Sequence, residues 1–203
     1  DNNIKMIYCI HLQKDVDRYD KMIYNLKSTG IPYTIIEGID GNTIQHHRKG
    51  RGKNPNGMIG CYLSHEKALS TAIENDIFPC LIVEDDLNFC KPNPNVNYNI
   101  QLPNKITSLA CREFYIGDKM NKWKNLYSNG DVIIKLGLYQ NTKIWTWDAS
   151  CIYYPNQEEA VKLLNFIESQ KSIYHVDGII FNKYSMIEDV YAFHPQIYIN
   201  ESN

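Results

Sequence analysis

Residues 4–37 read IKMIYCIHLQKDVDRYDKMIYNLKSTGIPYTIIE, and the pattern in them decides the fold class. Ile4 to Leu12 is nearly continuous apolar sequence, the mark of a strand covered on both faces. Asp15 and Asp17 then offer N-caps to a short helix whose Tyr19, Met22, Ile23 and Leu26 share one face, and Gly30 is placed to end it. Tyr33 to Glu37 is the next strand. A strand, a helix and a strand of these lengths make a βαβ unit, and so a parallel sheet in an α/β fold.

The same alternation continues outward. From about Asn56 to Asn75, Met58, Tyr62, His65, Leu69 and Ala72 or Ile73 recur at spacings of four and three, which places them on one helical stripe. Gly60 inside that helix costs about 1 kcal/mol against alanine, a hint that another backbone or a ligand approaches closely there. Cys80 to Val83 is a short buried strand that runs straight into Glu84-Asp85-Asp86. Phe114–Ile116 and Val132–Leu136 are strand-like, and Ile144–Tyr154 reads as one longer strand carrying Trp145 and Trp147. Gln157–Ile167 has helical periodicity, and Val176–Tyr184 is expected to be a short helix introduced by Asp177. No shift of composition marks a boundary, so residues 1–203 are expected to form a single domain.

Composition narrows the function classes. With 43% hydrophobic and 22% charged residues the chain reads as a soluble globular domain. A net charge of -2 gives no general pull toward nucleic acid or anionic membrane. No apolar run approaches the ~20 residues that span a bilayer, so no integral membrane segment is expected. No signal-peptide pattern opens the chain, and the start at Asp1 suggests a domain cut from something longer. The six cysteines form no C-x-x-C pair. Cys9, Cys80 and Cys151 sit in apolar segments as small buried thiols, which favours a reducing compartment. Residues 41–57 carry Gly41, Gly50, Gly52 and Gly57 among His46, His47, Arg48, Lys49, Arg51 and Lys53: either a solvated basic loop or a lid over a phosphate or acidic ligand.

Three adjacent carboxylates after an apolar strand repel one another and raise one another's pKa unless a cation sits among them. Hard oxygen ligands suit magnesium and manganese, and strand carboxyl ends are where α/β sheets bind ligands. The alternative is an acidic turn that caps the next helix or loop. A receiver-domain reading fails, because some eighty residues precede the triplet. A metal-dependent phosphoester hydrolase remains open on this chemistry alone. No P-loop and no G-x-S-x-G elbow is present.

The segment Gly57–His65 (GMIGCYLSH), followed by Leu81–Phe89 (LIVEDDLNF), resembles glycosyltransferase family 25, which includes lipooligosaccharide and collagen hydroxylysine galactosyltransferases. Ile7–Arg18, Glu37–Gly41, His175–Gly178 and Tyr191–Pro195 are similar to further family segments and come in the family's order. The resemblance spans residues 4 to about 199. It implies a GT-A-type, Rossmann-like sandwich with a mainly parallel central sheet, and inverting transfer of a hexose (galactose or glucose) from a UDP-sugar. It implies Mn2+ (or Mg2+) as cofactor and a glycan or hydroxylysine-type protein as acceptor. A GT-A module that binds nucleotide sugar without turnover is the alternative. The sequence departs from the family pattern at residues 90–111, in the basic loop, and at Tyr154–Glu159 (YPNQEE), a passage that could bear on acceptor choice.

The resemblance assigns roles residue by residue. Asp86 contacts the metal; Glu84 binds it or the donor ribose; Asp85 meets the sugar or makes a supporting hydrogen bond. Alternation along an extended segment sends Glu84 and Asp86 one way and Asp85 the other. Asp177 matches an acid of the C-terminal signature and is the expected catalytic base, or an N-cap, with Asp148 and Glu188 in reserve. His194 is a further metal ligand or a structural residue. Arg18 holds the nucleotide or pairs with Asp15 or Asp17. Ser64 and His65 lie near the donor, with core packing the competing fate of His65. Trp145 and Trp147 either stack on an acceptor sugar or pack.

Overall fold

The structure, a computed structural model, describes residues 4–45, 54–92, 101–111, 114–116, 121–122, 132–139, 142–146, 149–172, 175–194 and 198–200. The opening unit is β1 (Met6–His11), α1 (Val16–Ser28) and β2 (Tyr33–Glu37), with β1 and β2 parallel and His11 opposite Glu37. Asp15 is the N-cap of α1, though its side chain makes no capping bond, and Gly30 comes after the helix with φ +66°, a left-handed conformation that glycine adopts without strain. Next come α2 (Pro55–Asn75) and β3 (Cys80–Glu84), which lies parallel to β1 on its other side. Asn54 caps α2 by accepting from the Gly57 amide at 3.0 Å, and Pro55 occupies the first turn.

The chain continues through β4 (Leu87–Pro92), β5 (Thr107–Ser108), β6 (Phe114–Ile116), β7 (Asn121–Lys122), β8 (Val132–Lys135), β9 (Gly137–Tyr139), β10 (Thr142–Thr146) and β11 (Cys151–Tyr154). It closes with α3 (Gln157–Ser169), α4 (Val176–Gly178) continuing through a π-helical turn (Ile179–Lys183) and a 3-10 turn (Tyr184–Met186), β12 (Tyr191–His194) and β13 (Tyr198–Asn200). The central sheet has the order β2-β1-β3-β11-β5-β12-β8. Five of its seven strands point the same way; β11 and β8 run against them. It is a mixed, mainly parallel sheet between helical layers, consistent with the GT-A-type fold.

Two expectations need correcting. Ile144–Tyr154 is not one strand: β10 belongs to a separate four-stranded sheet (β7-β6-β10-β9), whereas β11 lies in the central sheet. Asp177 is not an N-cap, because His175 holds that position and Asp177 accepts the Gly178 amide from within the first turn at 2.8 Å.

Each sheet face has its own core. Tyr8, Ile10, Cys80 and Ile82 pack with Tyr62, Leu69 and Ala72 of α2 and with Leu163 and Ile167 of α3. Ile7, Cys9, Leu81 and Val83 pack with Met22 and Leu26 of α1. Strand alternation makes this division, and it decides where the side chains at the strand ends point. The expected α2 stripe of Met58, Tyr62, His65 and Leu69 is buried and closes on Ala72, with the alternative Ile73 only partly buried. Among the described residues no helix is long and apolar enough to cross a membrane.

Candidate active site

Strands β1, β2, β3, β5 and β12 all end at one edge of the central sheet. The acidic triplet stands at that edge, directly beyond β3. Glu84 continues the Cys80–Ile82 face toward α2, and its Oε1 lies 3.0 Å from His65 Nε2 and 3.8 Å from Cys61 Sγ. Asp85 continues the opposite face, toward α1. Its Oδ2 lies 2.7 Å from Nδ1 of His11, the last residue of β1, and its Oδ1 accepts from the Arg18 guanidinium at 3.1 Å. Asp85 thus holds two partners at once, one on β1 and one on α1. Arg18 makes its ion pair with Asp85, and the charge of Asp15 acts on it in the same sense.

Electrostatics tie Glu84 to its neighbours. Burial works to raise its carboxyl pKa, but the His65 hydrogen bond and charge, the Cys61 contact and the charge of Arg18 together hold it below the ordinary value of 4.5. Buried His65 has no partner at Nδ1, so its hydrogen bonding is directed through Nε2, which donates to Glu84. Burial pushes the Cys61 thiol well above its usual range, and the charges of Glu84 and Asp177 push it further the same way. Asp177, on α4 against the α2 side, therefore stands near Cys61.

The wall opposite the triplet depends on two glycines. A Cβ on Gly60 of α2 would strike the Ile39 carbonyl oxygen and come within 2.8 Å of the Gly41 nitrogen. A Cβ on Gly41 would strike the Asn56 carbonyl. The close approach hinted at by Gly60 is thus of one backbone to another. Ser64 completes the seam: its hydroxyl donates to the Gly60 carbonyl at 2.7 Å and accepts the Ile39 amide at 2.8 Å. Ser64 lines the cleft, but both of these bonds hold the 39–41 segment against α2.

The resulting cleft has a volume of about 330 Å³ and is lined by residues of β1, α1, the 39–42 segment and α2, with all three triplet members. Its described lining carries five carboxylates (Asp15, Asp40, Glu84, Asp85, Asp86) and two permanent cations, Lys14 and Arg18. Lys14 is paired with Asp40 at 2.6 Å. A wall with this excess of negative charge attracts cations and repels a phosphate-bearing ligand. Carboxylate oxygens are the donors that manganese and magnesium prefer, so the residues present fit such an ion.

The remaining expected residues are dispersed. His194 ends β12 at the triplet's edge, but β11 and β5 intervene between β12 and β3. At about 4.8 Å per strand, that puts roughly 14 Å between the two backbones. Glu188 precedes β12, whose first residue lies at the opposite edge. Trp145 is buried; Trp147, Asp148 and the basic segment 46–53 lie outside the described residues. The YPNQEE passage also lies at the far edge, since Tyr154 pairs with Cys80 at the start of β3. There Asn156 caps α3 by accepting the Glu159 amide at 3.0 Å, so the passage is a helix start at the edge opposite the triplet. Two residues that contact the triplet had no role assigned to them from sequence: His11, which meets Asp85 from the end of β1, and Cys61, which meets Glu84 from α2.

Comparison with known proteins agrees with the geometry. Residues 4–180 match the model of Glycosyltransferase family 25 (LPS biosynthesis protein). Procollagen galactosyltransferase 2 of Homo sapiens is 32% identical over 98 residues, covering 41% of this chain and 16% of the relative. The Mus musculus protein of the same name matches to the same extent. The matched region is thus a small part of these curated relatives. With the family match running through β1, the α2 motif, the triplet and α4, the chain belongs to glycosyltransferase family 25.

Proposed function

We propose that the chain is an inverting, cation-dependent hexosyltransferase that takes galactose, or as second choice glucose, from a UDP-sugar. The acceptor is a hydroxyl of a glycan or of a hydroxylysine-type protein side chain. Galactose comes from the names of the curated relatives; the nucleotide-sugar donor comes from the family. The observation that carries the reading is the excess of carboxylates lining a strand-end cleft. A diphosphate shares the sign of that wall and needs a cation to settle against it.

Asp86, assisted by Glu84, is assigned to hold Mn2+ or Mg2+, which when bound supplies positive charge to the departing diphosphate. Arg18, anchored on Asp85 at the rim, adds a permanent charge of the same sign. The acceptor oxygen attacks the anomeric carbon as the bond to the diphosphate oxygen breaks on the opposite face, and the acceptor proton passes to a carboxylate base. Asp177 is the assigned base. Asp85 orients His11 and Arg18, and His65 orients Glu84.

The test is UDP release from a panel of UDP-sugars with manganese and candidate acceptors. UDP-galactose is expected to give the largest manganese-dependent rate, and Asp86→Ala to remove at least ~99% of it, the scale of losing an electrostatic stabiliser of the leaving group. Binding of UDP without consumption of any UDP-sugar would favour the non-catalytic module. A loss in His194→Ala as large as in Asp86→Ala would move the cation toward β12.

A further inference from the structure

Cys61, His65 and Glu84 each present a ligand atom, and these three atoms lie within 4.8 Å of one another. Cys61 and His65 stand one turn apart on α2, and Glu84 closes the triangle from the end of β3. From the geometry we infer a second cation site in the same cleft: a three-ligand Cys-His-Glu centre for zinc and similar thiophilic divalent ions. It rests on the reading above only in that Glu84 is shared with the oxygen-ligated cation.

The spacing is near what such an ion requires. Tetrahedral coordination with Zn–S of about 2.3 Å and Zn–N and Zn–O of about 2.0–2.2 Å sets ligand atoms roughly 3.3–3.6 Å apart. Sγ to Oε1 is 3.8 Å and Nε2 to Oε1 is 3.0 Å, and Sγ to Nε2 is within 4.8 Å, so coordination needs the side chains to close by at most roughly 1 Å. All three residues line the cleft, which leaves the fourth position open to water or an incoming ligand, the arrangement of accessible zinc sites. A thiol is a poor donor for manganese or magnesium and a good one for zinc, so Cys61 separates the two ions by chemistry.

Binding is an exchange in which no bond to carbon changes. Cys61 gives up its thiol proton to solvent and becomes a thiolate ligand, and the hydrogen between His65 Nε2 and Glu84 is replaced by the metal. The ring proton moves to Nδ1, which has no partner in the buried pocket. That loss makes the site weaker than a closed structural zinc site and keeps it exchangeable. Because Glu84 serves both ions, zinc competes with the oxygen-bound cation, and zinc is expected to inhibit manganese-dependent turnover.

The experiment is titration of the full chain with Co2+, without nucleotide, followed by absorption. The expected result is a near-ultraviolet thiolate-to-cobalt band with intense tetrahedral visible bands, displaced by Zn2+ and absent in Cys61→Ser. The variant's cobalt affinity is expected to fall by more than about tenfold. A second measurement uses wild-type protein alone: mass-spectrometric mapping of alkylation, in which Zn2+ slows modification of Cys61 and Mg2+ does not. Absence of the thiolate band in the wild type, its persistence in Cys61→Ser, or alkylation of Cys61 at an unchanged rate with Zn2+ would overturn the inference. Neither measurement uses a sugar nucleotide, so either can fail while sugar transfer stands, and the converse holds.

Discussion

Single residues divide the triplet by strand geometry. Glu84 and Asp85 point to opposite faces because β3 is extended, and each meets a histidine from a different element. That division was legible in the sequence from the period of two. The pairing of His11 with Asp85 was not, because it joins positions 74 apart and depends on β1 and β3 being neighbours. Glu84 also carries a pH prediction. Its carboxyl is held below the ordinary value of 4.5 mainly by His65 working against burial. The folded state therefore binds that proton less readily than the unfolded chain. This contribution to stability is complete above the ordinary value and is lost as pH falls through the lower folded value. In His65→Ala burial is opposed only by the Cys61 contact and the Arg18 charge, and the acid loss of stability is expected to begin at higher pH. Thermal melts of both proteins between neutral and acid pH check this; superimposable acid limbs would contradict it.

Among elements, the α2 seam makes the cleft wall. Helix propensity alone favours Gly60→Ala by about 1 kcal/mol, but the added Cβ meets the Ile39 carbonyl and the Gly41 nitrogen. Overpacking of this kind costs about 1–3 kcal/mol and is expected to win. Gly60→Ala should lower the urea midpoint without changing the m-value, and should weaken donor binding through the shifted 39–41 segment. The α3 start offers the opposite case. Asn156→Ala removes a side-chain cap worth about 1 kcal/mol and should leave kcat and KM unchanged, because Asn156 lies at the far edge of the sheet. A change in acceptor KM would return the YPNQEE passage to the active site. The elements most legible in sequence were those with one clear period and a stop signal, such as Tyr33–Glu37, whose bounds agree with the structure. The run Ile144–Tyr154 misleads because an apolar, aromatic stretch reads the same whether it stays in one sheet or passes between two.

The whole molecule converges on one sheet edge. The βαβ opening announces a parallel sheet, and the family motifs announce where its chemistry lies. The order β2-β1-β3-β11-β5-β12-β8 was not legible, because β5 and β12 are short and their partners are distant in the chain. That order places β1 beside β3 and so assembles Arg18, His65 and the triplet around one negatively lined cleft, with His11 bonded to Asp85 from the end of β1. The central claim is that this cleft takes a nucleotide diphosphate only through a divalent cation. The direct test is calorimetric titration of the chain with UDP in manganese and again with the metal chelated. The account predicts binding with manganese and, without it, an affinity lower by at least about tenfold, or roughly 1.4 kcal/mol. UDP that binds equally well after chelation would contradict it.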